Sequence, residues 1–228
     1  TIANYLMEQI KVDPTVVAIC AGTPGGFGFN SEWRKAAGKQ YIDVGIAEEH
    51  AIAMSSGIAK NGGKPVFNVY STFLQRTYDQ LVQDLCVNNN SAVIINHQAS
   101  VYGMNDVTHL GFFDIPMLTS IPNLVYLAPT NNEELLAMTE YAVHQHEHPV
   151  AIRVPVGEFI STGVADTTDY SLLNKYEVTR RGEGIALLGL GNFYHLANQV
   201  ADELAKVGIN STVVNPKFAS GLDEELLK

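Results

Sequence analysis

Short apolar runs recur along this chain, and each hands over through a polar loop to a helical pattern. Residues 16–21, 41–44, 65–69, 92–95, 124–127 and 150–154 are such runs. Their shortness and their valine and isoleucine content fit strands buried on both faces. Between them lie stretches of helical character at 2–10, 47–59 and 73–86, and a further one that Asn131 or Asn132 caps and that runs to about His144. Strand, loop and helix in repetition predict an α/β fold, a mainly parallel sheet flanked by helices. The length, 228 residues with 46% hydrophobic and 17% charged, suits one large or two small domains with real cores.

Residues 158–175 are polar and irregular and read as a linker, after which the pattern restarts. An apolar run at 185–191, a helix over 194–207 and a run at 211–214 make one strand–helix–strand unit. About 50 residues of that kind cannot bury a core alone. The expected division is therefore a first domain over 1–160, a linker over 161–176, and an incomplete second α/β domain over 177–228. The chain begins without Met in a helical pattern and ends with an element barely begun. The expectation is a piece of a longer protein, or one that needs a partner.

Bulk charge narrows the partners. Fourteen basic against twenty-four acidic residues give −10 with no basic block, which argues against nucleic acid and anionic membranes. No run reaches the ~18 apolar residues of a membrane span. Cys20 and Cys86 are the only cysteines, both in apolar settings, so the expected compartment is the reducing cytoplasm, without a disulfide framework.

In open parallel sheets ligands bind beyond the carboxyl ends of the strands. Several polar clusters fall there: Gly22–Gly28, Glu48–His50, Tyr70–Arg76, His97–His109 and Arg153. The first is glycine-rich but is followed by no Gly-Lys-Ser/Thr, so it is not a P-loop. Glu48 and Glu49 open a helix, where the dipole favours acids for purely structural reasons. The functional alternative is a carboxyl group held in an apolar pocket for a ligand. His109, in a loop, is either an acid/base group or a surface histidine. The His144-Gln145-His146-Glu147-His148 run lacks the i, i+4 spacing of a helical zinc motif, so no metal is assigned. Gly189-Leu190-Gly191 lacks the third glycine of a dinucleotide fingerprint.

Two segments carry more. Asp43-Val44-Gly45-Ile46-Ala47-Glu48-Glu49-His50-Ala51 and Tyr70-Ser71-Thr72-Phe73-Leu74-Gln75-Arg76-Thr77-Tyr78-Asp79-Gln80 resemble the pyrimidine-binding domain of the 1-deoxy-D-xylulose-5-phosphate synthases, in the transketolase superfamily. Thr108–Asp114, Ile121–Asn123, Ala128–Asn131 and Ala151–Pro155 follow in the expected order. The resemblance implies a thiamine-diphosphate enzyme that condenses pyruvate with glyceraldehyde 3-phosphate and releases CO2, on the route to isoprenoids. It implies that Glu48 hydrogen-bonds the cofactor's aminopyrimidine, Phe73 packs on that ring, and Tyr70 and Arg76 line its pocket. It further implies that His109 transfers a proton or binds substrate, and that Tyr70, Asn105, Asp106 and Arg153 contact substrate. Glu49 stands where the family usually has Gln.

The chain departs from the family pattern at the acceptor end. Asn96-His97-Gln98-Ala99-Ser100 replaces the family's Asp-Arg-Ala-Gly, Gly103-Met104-Asn105-Asp106 replaces Gly-Ala-Asp-Gly, and Val154-Pro155-Val156-Gly157 replaces Tyr-Pro-Arg-Gly. The Gly-Asp-Gly motif that holds the diphosphate and Mg2+ in the superfamily is absent. The resemblance thus implies half a cofactor site, completed by a missing N-terminal domain or a partner chain, in a homodimer, with the chain inactive alone. Two other readings stay open. One is the C-terminal subunit of a two-chain transketolase-like enzyme with a different acceptor; the other is a non-catalytic partner-binding module.

Overall fold

A computed structural model describes residues 1–101, 108–157 and 159–228. The chain opens with helix α1 (Ile2–Val12), capped by the Thr1 hydroxyl, and strand β1 (Val16–Cys20). A one-turn helix α2 (Pro24–Phe27) lies inside the glycine-rich loop, begun by Pro24 and closed by Gly28 at φ +78°. Helix α3 (Ser31–Ala37) follows, capped by Asn30. Then come β2 (Tyr41–Asp43), α4 (Glu48–Lys60) and β3 (Lys64–Tyr70).

The segment after β3, expected as one helix, is a succession of helical types. Helix α5 (Ser71–Leu74), a 3-10 turn (Gln75–Thr77), α6 (Tyr78–Gln80) and a π-helical stretch (Leu81–Cys86) follow one another. The Thr77 hydroxyl donates to the Leu74 carbonyl at 2.8 Å, competing with the regular ladder. The Val87 amide reaches back five residues to the Val82 carbonyl. Next are β4 (Val93–His97), α7 (Asp114–Leu118), β5 (Val125–Leu127), α8 (Asn132–His144, capped by Asn131) and β6 (Val150–Val154).

The six strands form one sheet in the order β2-β1-β3-β4-β6-β5, all parallel. Successive strand residues face opposite layers. Val66, Ile95 and Ile152 pack with α1 and α8, through Leu6, Ile10, Leu135 and Met138. Phe67, Ile94 and Ala151 pack with α4 and the helical segment beyond β3, through Ile52, Leu81 and Leu85. Each fully buried Val, Leu, Ile, Phe or Met side chain contributes roughly 1.5–3 kcal/mol.

The remaining strands are β7 (Glu177–Arg180), β8 (Ala186–Leu188) and β9 (Thr212–Asn215), with α9 (Phe193–Lys206) between the last two. They make a second sheet, β7-β9-β8, in which β7 runs antiparallel. Tyr170, in the polar connection, is buried against Phe218 and Tyr141. Beyond β9 the chain returns to the edge of the first sheet. The Ala128 amide donates to the Lys217 carbonyl at 2.8 Å, and the Ala219 amide to the Tyr126 carbonyl at 2.7 Å. This covers the β5 edge, which would otherwise present unpaired backbone groups. Among the described residues no helix is long and apolar enough to cross a membrane.

Candidate functional site

The carboxyl ends of β1 to β4 share one rim, and their loops are tied together there. One oxygen of Asp43, the last residue of β2, accepts from the Gly22 amide at 2.9 Å and the Gly45 amide at 3.0 Å. Gly45 sits at φ +70°, where a side chain would be strained. The turn brings Ala47 to the start of α4 without a side-chain cap, so two acids occupy the first turn.

These two acids have different surroundings. Glu48 is 2% exposed, and Glu49 is half-buried. Arg76 bridges them, 3.2 Å from Glu48 Oε2 and 3.3 Å from Glu49 Oε1. The contact to Glu48 brings the charges together without hydrogen-bond alignment, for Oε2 is buried and has no hydrogen bond among the described residues. Beside this acid, Ile46 is 79% exposed, so the rim is open to solvent next to a buried carboxylate.

An aromatic cluster adjoins the glutamates. Tyr70 ends β3, and Phe73 lies one turn before Arg76. The Tyr70 ring packs edge-on to Phe73 at 6.1 Å and to His109 at 5.8 Å, and tilted against His97 at 5.5 Å. Phe73 also meets His109 edge-on at 5.3 Å. The Thr72 hydroxyl donates to the Thr108 carbonyl at 3.2 Å, and the Thr108 hydroxyl lies 3.0 Å from His109 Nδ1, which fixes the loop that carries the histidine. Two glycines allow the close approaches. A Cβ on Gly26 would stand 2.6 Å from the Tyr70 hydroxyl. One on Gly111 would stand 1.7 Å from the Gln98 carbonyl oxygen. Burial lowers the pKa of His97 and favours its neutral ring.

Arg153, on β6 beside β4, takes part in a buried network. Its Nε donates to Asp114 at 2.7 Å and a terminal nitrogen reaches the other carboxylate oxygen at 3.4 Å. The Tyr126 hydroxyl also donates to Asp114, and Asn96 donates to the Tyr126 oxygen at 2.7 Å. Burial and then the Asp114 carboxylate push the Tyr126 pKa well above the ordinary phenol value. The resemblance implies a substrate contact for Arg153; here two of its nitrogens are committed to Asp114.

The structure thus brings Glu48, Tyr70, Phe73, Arg76 and His109 to one rim. Arg153 stands behind that rim, paired with Asp114. Asn105 and Asp106 lie outside the described residues. The Asn96–Tyr126–Asp114 network was not foreseen from the sequence, and His97 was placed in a polar cluster at a strand end and in a departure from the family pattern, without a role of its own. Among the described residues no group of three His, Cys, Asp or Glu is placed to hold a metal ion. A buried carboxylate with an oxygen to spare, beside aromatic rings, can hydrogen-bond a flat nitrogen heterocycle and pack against it.

A parallel sheet whose carboxyl rim gathers such groups defines a class, and the chain belongs to it: it is a member of the transketolase family. Residues 1–160 match the family model "Transketolase, pyrimidine binding domain", and residues 174–228 match "Transketolase, C-terminal domain". The chain is 39% identical over 226 residues to the 1-deoxy-D-xylulose-5-phosphate synthase of Acaryochloris marina, covering 99% of this chain and 35% of that protein. The synthase of Symbiobacterium thermophilum is 38% identical over 224 residues, covering 98% and 34%. The chain therefore spans about a third of the length of the curated relatives it matches. Among solved structures, a split-gene transketolase in the form of an inactive β4 tetramer superimposes with TM-score 0.78 at 21% identity, over 99% of this chain and 72% of that one. Campylobacter jejuni transketolase superimposes with TM-score 0.81 at 18% identity, over 95% and 34%.

Proposed function

We propose that the chain supplies the pyrimidine-binding half of a thiamine-diphosphate-dependent transferase resembling 1-deoxy-D-xylulose-5-phosphate synthase. In the proposed reaction the C1–C2 bond of pyruvate breaks and CO2 leaves. The electron pair left on C2 forms a bond to an aldehyde carbon, and the aldehyde oxygen takes a proton. Thiamine diphosphate, when bound, supplies the electron sink for that pair.

The observation that carries this reading is Glu48. A carboxylate oxygen buried without a hydrogen bond costs free energy unless a ligand completes it. In this proposal Glu48 hydrogen-bonds the aminopyrimidine ring nitrogen. Phe73 packs on the ring, and Tyr70 and Arg76 hold the pocket walls. His109 holds or passes a proton at a substrate oxygen. The relatives' length supports a second contribution, from the diphosphate-binding part of a longer chain or from a partner, which would hold the diphosphate and Mg2+. The likeness to a split-gene transketolase chain whose own tetramer is described as inactive favours a chain inactive alone. A homodimer with its sites at subunit junctions, and a division at about residues 160 and 177, complete the proposal. Two buried free cysteines fit the cytosol.

Glu48→Gln in the full-length protein tests the reading. Loss of the carboxylic acid should lower pyruvate decarboxylation by at least the ~10²–10⁴-fold of a missing acid/base group. It should also weaken thiamine diphosphate binding, measured by calorimetry. Activity within twofold of the unsubstituted protein would remove Glu48 from the role.

A further inference from the structure

The charged groups at the rim bear on what the acceptor can be. Among the described residues two arginines stand at or just behind this rim, Arg76 and Arg153. Arg76 lies within 3.3 Å of both Glu48 and Glu49, so that group carries −1. Arg153 is buried against Asp114, so that pair carries zero. His97, on the end of β4, is the shared wall between the aromatic cluster and a cleft of about 510 Å³. The cleft runs past Gly26, Asn68, Asn132, Val154 and Phe159, and none of its described lining residues is Lys, Arg, Asp or Glu.

A phosphate monoester carries close to two negative charges at neutral pH and is bound with charge-assisted donors, most often arginine. Among the described residues both Arg76 and Arg153 are committed to carboxylates, and with Glu48, Glu49 and Asp114 they leave the local field neutral to negative. Asn68, His97 and Asn132 offer instead neutral amide and imidazole groups, which suit hydroxyl groups. A neutral site rejects a charged ligand because desolvating the phosphate is not repaid.

Resting on the proposed function, we infer that the acceptor is an uncharged hydroxyaldehyde rather than an aldehyde phosphate, with His97 as the residue that sets this preference. The lowered pKa of His97 has the same sense, since it keeps the ring neutral.

The test uses the full-length protein with thiamine diphosphate and Mg2+, pyruvate as donor, and D-glyceraldehyde or D-glyceraldehyde 3-phosphate as acceptor. The expected kcat/KM for the uncharged aldehyde equals or exceeds that for its phosphate. His97→Arg should move the ratio at least about tenfold toward the phosphate, and His97→Lys should move it in the same direction. A second arm titrates glycerol 3-phosphate by calorimetry. The unsubstituted protein should show no saturable binding up to about 10 mM, and His97→Arg should introduce it. The inference is overturned by a hundredfold preference of the unsubstituted protein for the phosphate, by glycerol 3-phosphate binding tighter than about 1 mM, or by substitutions that leave the ratio unmoved. If pyruvate releases no CO2 with either aldehyde, the proposed function fails. The glycerol 3-phosphate titration then still decides the charge the site accepts.

Discussion

Replacing Asp114 by alanine should be among the most destabilising single changes in the chain. Asp114 is 1% exposed and Arg153 6% exposed, and they meet through contacts of 2.7 and 3.4 Å. Removing the carboxylate leaves a guanidinium without its partner in the interior, which typically costs about 3–5 kcal/mol. The Tyr126 hydroxyl loses its acceptor as well, and an unsatisfied buried donor adds about 1–3 kcal/mol. Against a usual total of about 5–15 kcal/mol, a combined loss of about 4–8 kcal/mol is large, and so is its lower end, near 4 kcal/mol. For a domain of this size it corresponds to a fall in Tm of roughly 8–16 °C. Thermal and urea unfolding of the full-length protein by circular dichroism measure it, with an unchanged urea slope showing that stability rather than compactness moved. The double variant Asp114→Ala/Arg153→Met removes both charges and should recover more than half of the loss. The reasoning is refuted if Asp114→Ala costs less than about 1 kcal/mol, or if the double variant is no more stable than the single one.

Two further outcomes follow from the same rim. Gly111→Ala should destabilise the protein by roughly 1–3 kcal/mol, because its methyl group would collide with the rigid Gln98 backbone rather than with a movable side chain; urea midpoints check it. His97 has a folded pKa below its ordinary 6.5, so the unfolded chain binds more protons in acid. Its contribution is complete above about pH 6.5 and is lost as the pH falls below that, and His97→Gln should flatten this part of a stability profile measured between pH 7.5 and 5.

The six strands of the main sheet were legible because parallel strands buried on both faces read as continuous apolar runs, and the structure places all six within a residue or two of those runs. Helix α3 was not legible. Its sequence, Ser-Glu-Trp-Arg-Lys-Ala-Ala, buries only Ala37, so it shows no apolar period, and the Asn30 cap was the available signal. Strand β7 was missed because it is a half-buried edge with weak alternation. The segment from Ser71 to Cys86 carried a convincing helical stripe, but a stripe does not distinguish α from 3-10 or π winding. At the rim, Glu48, Tyr70, Phe73, Arg76 and His109 lie at or after strand ends, which gathers them as polar clusters, but the resemblance to a known family was needed to single them out. The pairing of Arg153 with Asp114 could not be gathered in this way, because the partners are 39 residues apart and only the fold sets them together.

The buried charges at one rim differ in how fully they are satisfied, and the difference bears on the proposed binding site. Arg153 and Asp114 compensate each other within hydrogen-bonding distance, and Tyr126 and Asn96 extend the network inward. Such a group fixes the relation of β4, β5, β6 and α7 and offers little to a ligand. Arg76 and Glu48 are also within ion-pair distance, yet the geometry leaves Glu48 Oε2 without a hydrogen bond among the described residues. The helix that begins at Glu48 has no side-chain cap, and the loop before it exposes Ile46. A chain folding only for stability would favour a Ser, Asp or Asn cap at Ala47, worth about 1 kcal/mol. It would also leave no buried acid short of a donor. These two costs occur at one place, on the rim where strand ends and aromatic rings converge. Their coincidence is what sets Glu48 apart from an acid placed there by the helix dipole alone.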